Sequence, residues 1–237
     1  MTPGPATPTG ISPKTARARP VWVSVEGVNG VGKTQLAAAA AQVLGSACQP
    51  LIELPDSQPG DLPGRVIAAL RATGDLFLRT GHPCTETLLL AALMVHRHEQ
   101  TFRRATQVVL EDRGVHSVAA YQALILTGDD DHAHTLARRI LRTVADWRPL
   151  PDAVVLLRDD PATCLSRFTR RIGRPAFPDE RRLMARADHL YTRLAADDPD
   201  RFTLIDRRHT GDQAAVDAIA AQCRRAAATT EETPCVP

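Results

Sequence analysis

Aromatic residues are scarce in this chain of 237 residues: two Trp, two Tyr and five Phe make up 4% of it. That scarcity argues against the stacked-ring platforms on which single-strand nucleic-acid binders hold bases. An excess of one charge is also lacking. Lys and Arg number 29 against 27 Asp and Glu, a formal net charge of +2, so no global field gathers nucleic acid or an anionic membrane. Long apolar runs are missing too. The longest, Leu88–Val95, falls far short of the ~20 residues that cross a bilayer. Lys14, Arg17 and Arg19 have no apolar stretch after them, which excludes a secretory signal. The five cysteines, Cys48, Cys84, Cys164, Cys223 and Cys235, are odd in number and never spaced C-x-x-C. They predict reduced thiols in cytoplasm rather than disulfides or a zinc site.

What is present begins at residue 27. Gly27-Val28-Asn29-Gly30-Val31-Gly32-Lys33-Thr34 follows the β-branched run Val21–Val25 and opens into an alanine-rich stretch, Lys33–Leu44. Strand, glycine loop and helix in that order form a phosphate-binding loop. Its glycines let main-chain N–H groups turn inward around an anion. The helix N-terminus adds partial positive charge at the same point. Lys33 is a point charge for the outer phosphates and the Thr34 hydroxyl a ligand for Mg²⁺. Gly27, Asn29, Gly30, Val31, Gly32, Lys33, Thr34 and Gln35 are thus the candidate ATP-binding residues.

Apolar strand-like runs alternate with amphipathic stretches over the rest of the chain. Strands are predicted at 21–26, 50–54, 107–111, 152–157 and 202–206. Helices are predicted at 33–44, 62–72, 85–104, 115–127, 132–146, 161–171, 179–196 and 212–225. This pattern predicts an α/β, three-layer P-loop NTPase fold, a five-stranded parallel sheet with helices on both faces. Ligands then bind beyond the carboxyl ends of the strands. Residues 1–20 and 227–237 lack hydrophobic periodicity and are expected to be disordered tails around one domain over 21–226.

A second acidic segment, Val108-Val109-Leu110-Glu111-Asp112-Arg113, is a buried strand ending in charge. Asp112 is the expected carboxylate for Mg²⁺, and Arg113 the donor fork for an oxyanion. An ordinary strand end with a surface ion pair would look the same in isolation.

Asp112-Arg113-Gly114-Val115-His116-Ser117-Val118-Ala119-Ala120-Tyr121-Gln122 resembles the D-R-x-x-x-S-x-x-A-Y-Q segment of thymidylate kinases. Glu26–Gln35 looks like that family's E-G-x-D-G-x-G-K-T loop, and Arg186–Asp206 is similar to its closing helix and strand. The resemblance spans roughly residues 21–222. It implies ATP over the loop, a small-molecule nucleotide acceptor such as dTMP, and a homodimer built through helices. It further implies a lid near 167–178 whose arginines close on the transferring phosphoryl group. Of Arg167, Arg170, Arg171 and Arg174, Arg170 and Arg174 are the favoured catalytic candidates. Arg97 resembles the arginine that reads the thymine edge, with Leu93 standing where the family stacks a Phe. Ser117, Tyr121 and Gln122 follow the family's acceptor site, with Tyr121 near the sugar.

Two departures matter. The family's loop Asp is Asn29, which keeps a hydrogen-bonding oxygen but no charge. Where the family places an arginine for the acceptor phosphate, the segment Glu53–Gly60 offers Ser57. A dianionic acceptor then loses a bidentate partner. That loss opens a second reading, in which the acceptor is a nucleoside or similar metabolite and Glu53 is the base for its hydroxyl. A third reading is a non-catalytic module that uses the loop as a switch. His96/His98 and His132/His134 are spaced two apart and point to different helix faces, so they read as solvated histidines. Asp129-Asp130-Asp131 reads as a loop and helix cap.

Overall fold

In a computed structural model, residues 19–56, 60–100 and 105–231 are described. Five strands carry the core: β1 (Val21–Glu26), β2 (Cys48–Leu51), β3 (Val108–Asp112), β4 (Ala153–Arg158) and β5 (Phe202–Asp206). They pair in the order β2-β3-β1-β4-β5, and every pairing is parallel. The central strands are apolar almost throughout: all of β1 and β3 is buried. A parallel strand covered on both faces requires that composition, because neither face meets water.

Among the described residues eight α-helices surround the strands, seven of them between strands and the last after β5: α1 (Lys33–Leu44), α2 (Leu62–Arg71), α3 (Pro83–Glu99), α4 (Val115–Leu126), α5 (Asp130–Ala145), α6 (Pro161–Ile172), α7 (Pro178–Asp197) and α8 (Asp212–Glu231). α1 and α8 pack on each other and on the strands; α3, α4, α5 and α7 form the other group, with α7 reaching β4. Side-chain caps fix several starts. Asp61 accepts from the Gly64 N–H, Asp129 from His132 and Asp160 from Thr163, at 2.7, 2.8 and 2.8 Å. Each satisfies an N–H that the helix leaves unpaired. The three-layer α/β architecture with five parallel strands is the one expected.

Several boundaries move. β2 ends at Leu51 rather than 54, because Leu54–Asp56 coils into a 3₁₀ turn closed by Asp56 N–H to Glu53 O at 2.9 Å. Its Pro50 is tolerated because β2 is an edge strand. α3 begins at Pro83, whose missing N–H suits a first turn; residues 101–104, expected to continue it, lie outside the described residues. α5 starts at Asp130, two residues early, since Asp129 caps it. α8 runs to Glu231 where a tail was expected from 227. Ala226, Ala227 and Ala228 have high helix propensity and carry the last turns onward. Residues 1–18 and 232–237 lie outside the described residues. Among the described residues, no helix is long and apolar enough to cross a membrane.

The phosphate loop joins β1 to α1, and Asp112 and Arg113 sit at the end of the neighbouring strand β3. Parallel pairing therefore brings both charged motifs to one sheet edge, at the carboxyl ends of the strands.

Candidate active site

The loop's shape depends on glycine. Gly27, Gly30 and Gly32 have φ of 138°, 82° and 100°, values that a side chain rarely adopts. Space forbids a side chain as well. A Cβ on Gly30 would lie 2.0 Å from the Cys164 carbonyl oxygen on α6, and one on Gly27 would lie 2.5 Å from that of Leu157. The loop is therefore pressed onto β4 and α6 and held in one form. Val31 is fully buried beneath it, and Gln35 faces solvent on the first turn of α1. The Lys33 ammonium donates to the Val28 carbonyl at 2.8 Å, inside the loop's own curl. Burial lowers its pKa to about 7, and the Arg113 charge adds to that effect.

Asp112 is buried, and neither of its carboxylate oxygens has a hydrogen-bond partner among the described residues. Burial raises its pKa, while Lys33 and the nearby Thr34 hydroxyl work the other way. An orphaned buried carboxylate beside a hydroxyl is costly unless something else satisfies it. An oxygen-seeking divalent ion fits that need.

Arg113 bridges the loop and the neighbouring cavity. Its backbone is left-handed, at φ 58°, a conformation that non-glycine residues keep where surroundings enforce it. The guanidinium donates to the Asn29 side-chain oxygen at 2.6 Å and lies 2.6 Å from Glu53 in an ion pair. It also sits 5.5 Å over the Tyr121 ring. Burial is the largest single influence and opposes its charge, but Glu53, Tyr121, Tyr191 and Asp112 together outweigh it and hold the pKa above its usual value. Glu53 is pushed up by burial and pulled down more by Arg113 and Lys33, so it stays ionised and below the usual carboxylate range. Arg171 donates to the same Asn29 oxygen at 3.3 Å.

Beside these groups opens a cavity of about 650 Å³. Its polar lining includes Asn29, Thr34, Glu53, Arg71, Arg113 and Arg171. Its apolar lining includes Phe77, Leu90, Met94, Val118, Tyr121 and Phe168. The cavity thus offers both charged groups and apolar surface beside the phosphate loop.

This geometry agrees with what the chain is similar to. The sequence profile of the family described as Thymidylate kinase matches residues 25–219. The chain belongs to the thymidylate kinase family. A thymidylate kinase of Bifidobacterium longum (strain DJO10A) is 30% identical over 194 residues, covering 78% of this chain and 89% of that protein. A probable thymidylate kinase of Methanocorpusculum labreanum is 27% identical over 190 residues, covering 78% and 88%. Among solved structures, thymidylate kinase from Candida albicans superposes with a TM-score of 0.64 at 17% identity, covering 92% of this chain and 96% of that one. The Ehrlichia chaffeensis thymidylate kinase gives 0.56 at 17%, covering 86% and 97%. These two support the fold. The chain is thus a phosphotransferase of the thymidylate kinase type.

Within this thymidylate kinase fold, several of the candidate site residues come together. Lys33, Thr34, Asp112, Arg113, Glu53, Asn29 and Tyr121 converge. Ser117 and Gln122 line the cavity but are engaged. Ser117 donates to Glu26 at 2.5 Å and meets the Tyr191 hydroxyl at 2.7 Å; Gln122 accepts from Thr87 at 2.9 Å. Ser57 lies outside the described residues.

Other expectations are corrected. Arg97 does not line the cavity. It is buried against Glu111 at 3.1 Å and donates to the carbonyls of Ile52 and Arg113. Glu111 is shared with the fully buried Arg148 at 3.4 Å, so Arg97 braces the ends of β2 and β3. The α3 positions that face the cavity are Leu90 and Met94, about one turn before Leu93 and Arg97. Arg170 is exposed and stands apart from the main cavity. Arg174 lines it but is held by both oxygens of Glu180, at 2.8 and 2.7 Å. The arginine that reaches Asn29 is Arg171. Helical spacing contained that signal: Cys164, Phe168 and Arg171 fall on one face of α6.

Phe77 is a cavity residue that sequence reasoning missed. It comes from the segment between α2 and α3, where no periodicity marks it.

Proposed function

We propose that this chain transfers the terminal phosphoryl group of ATP to the phosphate of a pyrimidine deoxynucleoside monophosphate such as dTMP. The observation that carries the reading is Arg113, half-buried where the phosphate loop meets the cavity and aimed between Asn29 and Glu53. A guanidinium there can hold the acceptor phosphate within reach of the donor's last phosphorus. An acceptor phosphate oxygen attacks that phosphorus, the bond to the bridging oxygen breaks, and ADP leaves with the electron pair. A dianionic acceptor has no proton to surrender, so no general base is needed.

Lys33 and the loop amides bind the donor phosphates and stabilise the charge that grows on them. Thr34 and Asp112 would hold Mg²⁺, which neutralises phosphate charge when bound. Arg171, and Arg174 once released from Glu180, act as lid arginines over the region 167–178. Positioning supplies most of the rate, as is usual for phosphoryl transfer. The same reading takes the protein as a homodimer working in cytoplasm.

The nucleoside reading needs Glu53 as a base. Its pairing with Arg113 depresses its basicity, which favours the phosphate acceptor. A coupled assay for ADP release separates the readings. Release with dTMP but not thymidine supports the proposal. Release with thymidine alone moves the site to Glu53 chemistry. Tight ATP binding with no acceptor-dependent ADP leaves a binding module.

A further inference from the structure

The left-handed backbone of Arg113 persists only because its neighbours hold it. Its own N–H donates to the Val25 carbonyl at 3.2 Å, which fixes it to β1. The next N–H, that of Gly114, donates to one carboxylate oxygen of Glu26 at 2.9 Å. Gly114 fits there only without a side chain: a Cβ would lie 2.7 Å from a Glu111 carboxylate oxygen and 3.0 Å from the Ser24 side chain. The hold on the Arg113 carbonyl is looser, with Arg97 donating to it at 3.4 Å. Glu26 is thus the close side-chain partner of this turn.

Glu26 also reaches the other end of Arg113 through one hydroxyl. Its second carboxylate oxygen accepts from Ser117 at 2.5 Å, and the Ser117 oxygen accepts from the Arg113 guanidinium at 3.5 Å. The Tyr191 hydroxyl of α7 closes the group, 2.7 Å from Ser117 and 3.4 Å from Glu26. Glu26, Ser117 and Tyr191 are all buried, so these bonds act at low dielectric. A buried carboxylate is a costly way to end a strand, and its place in the chain gives it a use. Glu26 is the last residue of β1 and immediately precedes Gly27. Its backbone opens the phosphate loop while its side chain grips the turn that carries Arg113. A single residue thereby ties the donor cradle to the acceptor cation.

We propose that Glu26 is a positioning residue for phosphoryl transfer, acting through Gly114 and Ser117 to hold Arg113 in place for the acceptor phosphate. This rests on the phosphate-acceptor reading above. Glu26 is wholly buried and does not line the cavity, so its influence on the reaction passes through Arg113.

The experiment compares Glu26→Ala, Glu26→Gln and Ser117→Ala, each alone and combined with Arg113→Ala, by steady-state kinetics with dTMP, by calorimetry with ATP and by NMR of the Arg113 side chain. Glu26→Ala should lower kcat/KM for dTMP by about 10²-fold, the loss expected when a reacting group is misplaced, with ATP affinity within about twofold. Glu26→Gln, whose amide can accept from Gly114 and donate to Ser117, should return to within about fivefold of the unmodified protein. Ser117→Ala should fall between the two, and it carries the test if Glu26→Ala does not fold. In the Arg113→Ala background each change should cost less than about twofold more, because residues that act as a unit are not additive. Full losses on top of Arg113→Ala, or a glutamine variant as slow as the alanine one, make Glu26 a structural residue and overturn the proposal. The NMR signals separate this from failure of the proposed reaction. If dTMP is not phosphorylated, broadening of the Arg113 signals in Glu26→Ala or Ser117→Ala, with recovery in Glu26→Gln, still supports the hold on Arg113. Signals unchanged in all three variants overturn it whatever the turnover.

Discussion

The Arg113 guanidinium meets the Asn29 side-chain oxygen at 2.6 Å, which ties the end of β3 to the phosphate loop. The oxygen is shared with Arg171, so one neutral amide orients two cations that would otherwise repel and drift. Asn29→Ala removes that anchor without removing a charge. The expected result is a fall of about 10–100-fold in kcat/KM for the acceptor, with the ATP KM little changed. Equal losses for both substrates would place Asn29 on the donor side instead.

Lys33 is a buried cation whose pKa is lowered to about 7, chiefly by burial. Lys33→Met should cut turnover by about 10³-fold, while the protein stays folded. The stability sign follows from the lowered pKa. Between about 7 and 10.5 the unfolded chain binds the proton more tightly, so Lys33 is a burden that is complete below pH 7 and fades as pH rises. Urea midpoints should therefore favour the methionine variant most near pH 6. Its advantage should shrink towards pH 10.

The divide between what the sequence revealed and what it hid is physical. Lys33, Thr34, Asp112 and Arg113 were legible because their chemistry is fixed by local spacing at strand ends, which parallel pairing then brings together. Arg97 was misplaced because its helix face depends on tertiary packing. Leu90 and Met94 share a stripe as readily as Leu93 and Arg97 do, and the buried Glu111 between Arg97 and Arg148 decides which one turns inward. Phe77 was invisible because a left-handed Leu78 and the Asp75–Arg79 brace leave no periodic trace. The end of β2 was overrun because Ile52 and Leu54 prolong the strand-like pattern that the 3₁₀ turn interrupts.

Asp112 is buried with no hydrogen-bond partner among the described residues, and its pKa is raised by that burial. Asp112→Asn should lower turnover by about 10²-fold or more at fixed Mg²⁺ and raise the Mg²⁺ concentration needed for half-maximal rate. Thermal stability without ligand should be unchanged or higher, since the change removes a desolvated charge. A variant with an unaltered Mg²⁺ requirement would remove Asp112 from the metal.

Arg97 is bound to Glu111 at 3.1 Å and to two main-chain carbonyls, away from the cavity. Arg97→Ala leaves Glu111 with Arg148 alone and should cost about 2–4 kcal/mol of stability. The acceptor kcat/KM should fall less than about tenfold, since Arg97 touches the site through the Arg113 carbonyl and nothing closer. Chemical denaturation and steady-state kinetics on the same preparation decide this. A loss of about 10³-fold in rate with unchanged stability would restore Arg97 to the base site.

Glu26 lies wholly buried at the end of β1, accepting from the Gly114 N–H at 2.9 Å and from Ser117, which also meets Tyr191. Burial raises its pKa to about 7, against the pull of those two donors. Between about 4.5 and 7 the folded protein holds the proton and the unfolded chain does not. The stability linked to Glu26 is therefore complete below about 4.5 and is lost as pH rises through about 7. Glu26→Gln keeps an acceptor for Gly114 and removes the titration. Its stability relative to the unmodified protein should climb between pH 5 and 7, by on the order of 2–3 kcal/mol, then level off. Parallel urea titrations across that range read the slope directly. A difference that stays constant with pH would mean that Glu26 is ionised in the fold throughout.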